Sequence, residues 1–278
     1  SAGSPMVPKL VLTDLAETGS VVGRLSGIGT VGAIAGTVLT GFVFLAALPV
    51  SSVLVATGVL LVLAAAAVEV RVRGIRAAVL PLVLLVPGAL GAAYGPGRCE
   101  AETVYHCAQV QTDPARESGR VLVLDSLRHS YVDLDDPTHL EFQYVQALAG
   151  VADTAFPAGE PLEAYHLGGG GLTFPRYLER VRPGTVSVVS EIDRGVLAID
   201  ERDLGLVTGP AMDVRIEDAR LGLRSLEIDS RDLVVGDAFG GISVPWHLTT
   251  REALTDVQRV VRPGGIYAAN LIDFAPLS

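Results

Sequence analysis

The sequence has 278 residues, 49% of them hydrophobic, and its mean hydropathy is +0.44. That is too apolar for an ordinary soluble domain of this length, so we expect a membrane-embedded part. The formal net charge is −10, and residues 97–278 hold 28 of the 31 acidic residues, which excludes nucleic acid as a partner because phosphate binding needs a basic face.

Residues 1–96 contain three apolar runs that predict transmembrane helices. We place the runs at about Val21–Leu48, Ser51–Val68 and Ile75–Ala93, each close to the roughly 20 apolar residues that cross a bilayer as a helix. The alternative is three buried helices of a large soluble core. We expect a multi-pass region in the cell membrane, the C-terminal part of a larger bundle, with the lipid bilayer as its partner.

The side of the membrane on which the rest of the chain lies stays open. The loop between the second and third runs carries three arginines, Arg71, Arg73 and Arg76. Such a loop is typical of the cytoplasmic side, and one further span would place residues 98–278 outside. Cys99 and Cys107 follow the last run, and they would form a disulfide outside but remain two ordinary thiols inside.

Residues 97–161 are predicted to form a small β-rich unit that ends in a helix. Strands are expected at Arg120–Leu124 and near His129–Leu134, with a turn between them. Apolar residues at helical spacing then predict the helix, with Thr138 as its cap and Glu141 completing a capping box.

From residue 162 to residue 278 strands and helices alternate. This rhythm predicts an α/β fold with a Rossmann-like, doubly wound, mostly parallel sheet. Strands are expected at 162–167, 185–193, 212–218, 232–239 and 266–273. Helices are expected at 174–182, 194–204, 219–226 and 249–265.

In the membrane region, Pro81 and Pro87 should kink the third transmembrane span.

Glycines and acids occupy the ends of the predicted parallel strands, where ligands bind in such sheets. Gly168–Gly171 follow the first strand, and they either cradle a ligand or make a tight turn. Glu191 ends the second strand, where a carboxylate can accept hydrogen bonds from ribose hydroxyls; the alternative is an N-cap or a solvated acid. Asp218 and Asp237 end the third and fourth strands beside the same crevice.

Several motifs of residues 98–278 resemble those of the spermidine synthase family of aminopropyltransferases. They are "RVLVLDSLRHSYVDLDDP", "LGGGGLTFPRYL", "VSEID", "IEDAR" and "RPGGI". The family is related in fold to class I S-adenosylmethionine-dependent methyltransferases. The preceding spans resemble bacterial membrane proteins in which such a domain follows a multi-helix region.

The resemblance implies a site, a ligand and a reaction. The nucleotide would be bound by Gly168, Gly169, Gly170, Glu191 and Asp218. Asp125 and Tyr144 would bind a small amine substrate, and Asp237 would be the catalytic base that takes the proton from the attacking amine. The nucleotide would be decarboxylated S-adenosylmethionine or S-adenosylmethionine itself, as a substrate, with no metal. A homodimer is a further expectation.

Two acids of the family pattern are missing. The family loop reads G-G-G-D-G where this chain has Gly171, and its catalytic strand ends in D-x-x-D-P where this chain has Gly240. Two alternatives therefore stand beside the aminopropyltransferase. One is a methyltransferase with the same nucleotide site, and the other is a catalytically degenerate binding or regulatory module outside the cytoplasm. The histidines are expected at the surface or in packing roles: His106, His129, His139, His166 and His247.

Overall fold

The computed structural model describes residues 18–45, 48–83, 85–94 and 99–272. It divides the chain into two compact units, residues 1–96 and residues 97–278. The first unit is helical. Its elements are α1 (Thr18–Leu39), a π-helical turn (Thr40–Phe44), α2 (Val50–Arg73), a 3-10 turn (Ile75–Ala78), α3 (Val79–Val83) and α4 (Leu85–Tyr94).

Two helical segments of the first unit are long and apolar enough to cross a bilayer, Thr18–Phe44 and Val50–Arg73. They correspond to the first two predicted spans, and length and composition are their only link to a membrane. α2 continues beyond the predicted end at Val68, so that Arg71 and Arg73 lie in its last turn rather than in a loop. Positive charges in the last turn interact favourably with the negative end of the helix dipole. The ion pair between Arg73 and Glu69, with a nitrogen–oxygen distance of 3.2 Å, stabilises the same turn.

The third predicted span, Ile75–Ala93, stays a prediction: its described residues are all helical, although no unbroken described helix there is long enough to cross a bilayer. Gly74, with φ +91°, ends α2, and the 3-10 turn, α3 and α4 follow it. Pro81 lies within α3 and Pro87 within α4, and the kink expected from each stays a prediction.

The second unit begins with a four-stranded antiparallel sheet in the order β1-β2-β3-β4. Its strands are β1 (Ala101–Glu102), β2 (Cys107–Asp113), β3 (Arg116–Leu124) and β4 (Leu127–Asp133). The helix α5 (Gln143–Ala155) follows it. The predicted capping box is wrong, because the helix begins five residues after Thr138. The Thr138 hydroxyl instead donates to the carboxylate of Asp136 in the preceding turn.

A five-stranded parallel sheet forms the rest of the second unit, in the order β7-β6-β5-β8-β9. Its strands are β5 (Glu163–Leu167), β6 (Val186–Glu191), β7 (Met212–Ile216), β8 (Arg231–Gly236) and β9 (Val261–Ala269). The helices between them are α6 (Thr173–Val181), α7 (Arg194–Asp203), α8 (Ala219–Ser225) and α9 (Arg251–Val260). The predicted α/β fold with a parallel sheet is confirmed, and the division at residue 161 stays a prediction.

Both faces of the parallel sheet are covered, as its apolar strands require. One face packs against α5 and α6, where Ala164 of β5 lies in one buried cluster with Leu148 and Leu178. The other face packs against α8 and α9, where Tyr165 of β5 shares a cluster with Val257. Consecutive residues of one strand therefore enter opposite layers, which fixes the register of β5.

The last strand begins earlier than predicted. β9 starts at Val261, which pairs with Arg231, and its register shifts before Ile266 pairs with Leu233. The predicted helix over 249–265 ends at residue 260 because Pro263 cannot continue a helix and Gly264 has φ +86°. The strand therefore carries the "RPGG" turn inside it as a bulge.

Cys99 and Cys107 are joined by a disulfide. The bond closes the loop that leads into β2. Thr103 of this loop accepts a hydrogen bond from the His106 amide and donates one to Asp193, the N-cap residue of α7. The disulfide therefore holds a segment that connects the small sheet to the large one.

Replacing both cysteines with serine should lower the free energy of unfolding of the second unit by about 2–3 kcal/mol. The disulfide joins residues that are eight positions apart, and this loop restricts the conformations of the unfolded chain. Urea denaturation of the full chain in detergent, followed by fluorescence of its single tryptophan, Trp246, measures the change. Dithiothreitol should destabilise the wild type by the same amount and leave the double variant unchanged. A wild type that is insensitive to dithiothreitol would contradict the prediction.

Candidate functional site

The parallel sheet changes direction between β5 and β8. From β5 the chain proceeds through β6 to β7 on one side, and it returns to place β8 and β9 on the other. Connections diverge from such a switch point, which leaves a crevice at the carboxyl ends of the strands. A pocket lies there, and it is lined in part by Leu124 and His129 of the small sheet and by His106 of the β1–β2 loop.

The glycine loop follows β5 and approaches the β8 backbone too closely for a side chain. Gly168 has φ +96°, and a Cβ atom there would lie 2.7 Å from the Asp237 carbonyl oxygen and 2.9 Å from Ala238 Cα. The Asp237 amide donates to the Leu167 carbonyl at 3.0 Å, so the two strand ends are joined at this point. Glycine at 168 is therefore a requirement of the close approach.

Gly171 is covered from the small sheet. Its amide donates to Ser130 Oγ at 3.0 Å, and a Cβ atom at this position would lie 2.9 Å from Ser130 Cβ and 3.1 Å from a methyl group of Val132. The space that an acid would need at position 171 is thus occupied by β4. Leu172, next in the chain, is fully buried with φ +50°, a conformation that costs a non-glycine residue roughly 1–2 kcal/mol.

Glu191 is the carboxylate that holds the loop. Its side chain accepts hydrogen bonds from the amides of Gly169 at 2.9 Å and Gly170 at 3.3 Å, both at Oε2. The other oxygen accepts from the Asp193 amide at 2.8 Å. Only 8% of Glu191 is exposed. It is not an N-cap, because Asp193 has that role in α7.

Asp218 has two functions at the end of β7. One oxygen caps α8 by accepting hydrogen bonds from the amides of Arg220 and Leu221. The other lies 3.0 Å from Nε2 of His247, which belongs to the 3-10 turn Trp246–Leu248. This second oxygen is the one that remains for a ligand, and His247 already contacts it.

Asp237 lies at the end of β8 with two neutral donors. Asn270 Nδ2 donates to its Oδ1 at 2.9 Å, and the Tyr144 hydroxyl forms a second hydrogen bond. Burial raises the pKa of Asp237 from 3.8 to about 6, although both hydrogen bonds act in the opposite direction. Burial, with the charge of Asp237 as a smaller cause, also raises the pKa of Tyr144. The carboxyl group is therefore mostly ionised at neutral pH, and its pKa lies close to neutrality.

The pocket is acidic. It contains Glu191, Asp218 and Asp237, and the lining residues that the structure describes include no lysine or arginine. Burial lowers the pKa of His129 to about 4, so that this histidine is neutral at pH 7. No group of three or more metal-ligating side chains occurs within the described ranges, which leaves the expected absence of a metal untested. Such a pocket suits a cation.

Comparison with known proteins gives related results from sequence and from structure. No protein-family model matches the chain. A polyamine aminopropyltransferase from Chromobacterium violaceum is 27% identical over 141 residues, 51% of this chain and 53% of that protein. One from Vibrio vulnificus is 31% identical over 150 residues, 53% of this chain and 48% of that protein. The chain thus spans about half the length of these curated relatives.

A solved structure extends the likeness to the fold. The crystal structure of a probable spermidine synthase from Corynebacterium glutamicum matches with a TM-score of 0.57 and 28% identity, covering 62% of each chain. The chain is spermidine synthase-like. Its parallel sheet has the α/β arrangement that the sequence predicted.

The spermidine synthase-like unit brings most of the predicted site residues together. Gly168, Gly169, Gly170, Glu191, Asp218 and Asp237 all line the same pocket. Tyr144 reaches it through its hydrogen bond to Asp237. Their roles stay predictions, because a shared position does not establish a ligand.

Asp125 is the exception among the predicted site residues. It lies in the turn between β3 and β4 with φ +58°, outside the residues that line the pocket. Its carboxylate accepts from the Cys107 amide and lies 3.0 Å from Nδ1 of His106. These two contacts, in that order, lower the pKa of Asp125. Its visible function is to hold the disulfide-closed loop, and its predicted role in substrate binding is untested.

Sequence reasoning missed four polar residues of the spermidine synthase-like site. They are His129, Ser130, His247 and Asn270. Asn270 offered a signal, because it immediately follows β9 and therefore lies at the same sheet edge as the acids. His247 offered none, since it reaches Asp218 from a segment 29 residues away.

The glycine loop can be tested with two matched substitutions. Gly168→Ala should lower the free energy of unfolding by about 1–3 kcal/mol, because the new Cβ meets the β8 backbone at a positive φ. Gly240→Ala should change it by less than about 0.5 kcal/mol, since the nearest atom to its Cβ position is 4.0 Å away. Urea denaturation of both variants checks the difference, and equal effects would contradict the assigned close approach.

The raised pKa of Asp237 predicts a pH-dependent stability difference. A carboxyl group with a folded pKa of about 6 costs stability when it ionises, so the wild type should lose stability relative to Asp237→Asn as pH rises from about 4 to 6. Above that range the difference should be constant and shifted in favour of the variant by about 3 kcal/mol from its value below pH 4. Denaturation at several pH values measures it. A difference that does not vary with pH would show that Asp237 has an ordinary pKa.

Proposed function

We propose that the pocket binds an S-adenosyl nucleotide and that the second unit transfers a group from its sulfonium to an amine. The observation that carries the proposal is the position of three acids at three strand ends. Asp218, Glu191 and Asp237 end β7, β6 and β8, and the glycine loop lies between the last two. Neighbouring strands are about 4.8 Å apart, so the outer acids lie roughly 14 Å apart across the sheet edge.

An extended nucleoside fits this series of acids in one direction. Its adenine amino group would meet Asp218, its ribose hydroxyls Glu191, and its sulfonium the glycine loop. The cationic sulfur would then lie in a pocket whose described lining carries acids and no fixed cation. Asp237, beyond the loop, would face the amine acceptor.

Ribose binding would change the hydrogen bonds of Glu191. A carboxylate has about four acceptor positions, and three backbone amides, those of Gly169, Gly170 and Asp193, already occupy positions on this one. One ribose hydroxyl can be accepted without loss, whereas two require a loop amide to release its bond. The longer contact, from Gly170 at 3.3 Å, is the weaker of the two at Oε2.

The transfer step balances without a further reactant. The amine nitrogen attacks a carbon next to the sulfonium, the carbon–nitrogen bond forms, and the carbon–sulfur bond breaks with its electron pair going to sulfur. The products are a neutral thioether and a protonated amine, whose proton passes to Asp237. A carboxylate with a pKa of about 6 is suited to this task, since it is ionised at pH 7 and still basic enough to accept a proton.

The group transferred is an aminopropyl group in the first candidate, which the names of the curated relatives support. A methyl group is the second candidate. It is favoured by Gly171, where Ser130 and Val132 fill the space that the family acid would occupy. The proposal also includes an amine acceptor, attachment to the bilayer through residues 1–96, and a homodimer.

Nucleotide binding tests the proposal. Calorimetric titration of the full chain in detergent with S-adenosylhomocysteine and with 5′-methylthioadenosine should show saturable binding. Glu191→Gln should weaken it by about 10–100-fold, since a hydrogen bond to a charged group contributes about 1.5–3 kcal/mol. Glu201→Gln, an exposed acid on α7, is the matched control and should bind as the wild type does.

Product analysis then separates the two candidates. The full chain is incubated with each nucleotide donor and a set of primary amines, and the mass gain of the amine identifies an aminopropyl or a methyl group. Wild-type protein that binds neither nucleotide would overturn the proposed function.

A further inference from the structure

Asn270 is the only asparagine in the 278-residue sequence, and it lies against the carboxyl group of Asp237. It follows β9 directly, and its backbone amide donates to the Gly236 carbonyl at 2.8 Å. That bond extends the β8–β9 ladder by one step. The position of the side chain is therefore determined by the sheet rather than by a loose loop.

The backbone of Asp237 is fixed from the opposite side. Its amide donates to the Leu167 carbonyl, and its own carbonyl lies against the bare Cα of Gly168. β5 and β9 thus flank Asp237 on its two sides, and the Asn270 amide reaches Oδ1 across this short gap.

The two partners of Asp237 are both uncharged donors. Asn270 and Tyr144 hydrogen-bond to the carboxylate and leave its negative charge uncompensated. An arginine or lysine in the same place would neutralise the charge that a cationic ligand needs. The amide thus orients the carboxylate and favours its ionised form at the same time.

We propose that Asn270 is a positioning residue that orients Asp237 toward the amine acceptor and keeps it ionised at neutral pH. Only the identity of the group that Asp237 faces, the amine acceptor, rests on the proposed function. The orientation and the ionisation of Asp237 are properties of the protein alone and can be measured without a ligand.

Other titratable groups share this pocket and have to be considered. They are Tyr144 on α5, His106 and His129 from the small sheet, and Glu191, Asp218 and His247 from the ends of β6 and β7 and the turn after β8. Of these, only Tyr144 contributes to the shift at Asp237. A change at residue 270 should therefore appear in the titration of Asp237 and not in that of the histidines.

The first experiment needs no activity. The pH midpoint of Asp237 is obtained from the difference in unfolding free energy between chains with and without Asp237→Asn, once in the wild type and once in Asn270→Ala. Loss of the amide should raise the midpoint by about one pH unit, because a donor to the charged form has been removed. Gln258→Ala, an exposed amide on α9, is the control and should leave the midpoint unchanged.

The second experiment follows activity. In Asn270→Ala the acid limb of the profile of kcat/KM against pH should move to higher pH by about one unit. The nucleotide affinity measured by calorimetry should stay within about twofold of the wild-type value. Asn270→Asp should move the limb further, because it adds a like charge beside Asp237. Asn270→Gln keeps the donor but changes its reach, so it should restore the midpoint more than kcat.

The outcomes distinguish this inference from the proposed function. A midpoint that shifts in a protein without nucleotide affinity would support the role of Asn270 and overturn the proposed function. A midpoint that Asn270→Ala leaves unchanged would overturn the role of Asn270 whatever the protein binds. If Asn270→Ala and Asn270→Gln lose the same stability and neither shifts the pH profile, the role of Asn270 in positioning Asp237 is overturned and the residue serves only in packing.

Discussion

The site depends on the close approach of two backbones at the ends of β5 and β8. The Asp237 amide donates to Leu167, and Gly168 turns away with no room for a Cβ atom. This contact places the glycine loop and the reactive acid at the same point of the sheet edge, although the two segments are distant in the chain. Glu191 and Asp237 both line the pocket that forms there.

The electrostatics of the pocket follow from what its acids contact. Glu191 accepts hydrogen bonds from backbone amides, and Asp237 accepts them from neutral side chains. Neither carboxylate is therefore paired with a fixed cation in these contacts. Their charge is compatible with burial only because hydrogen bonds replace part of the lost hydration. The raised pKa of Asp237 shows the remaining cost, and a cationic ligand would remove it. The same arrangement therefore destabilises the free protein and favours the bound one.

Local sequence determined most of the sheet and only part of the site. The apolar runs and the Glu191, Asp218 and Asp237 positions were predictable because strand ends lie on one edge of a parallel sheet. The contacts of Asn270 and His247 were not, because each joins segments about 30 residues apart through tertiary packing. The early start of β9 and the late start of α5 depended on Pro263 and on the turn around Asp136, which competed with helix-like patterns.

The most direct test of the account is an experimental structure of the full chain with S-adenosylhomocysteine. The account predicts adenine beside Asp218, ribose on the Glu191 carboxylate with the Gly170 amide released or lengthened, and sulfur at the glycine loop on the side of Asp237. Nucleotide bound elsewhere, or in the reverse direction with adenine beside Asp237, would contradict it. In either case the assigned order of acids along the sheet edge would have no functional meaning.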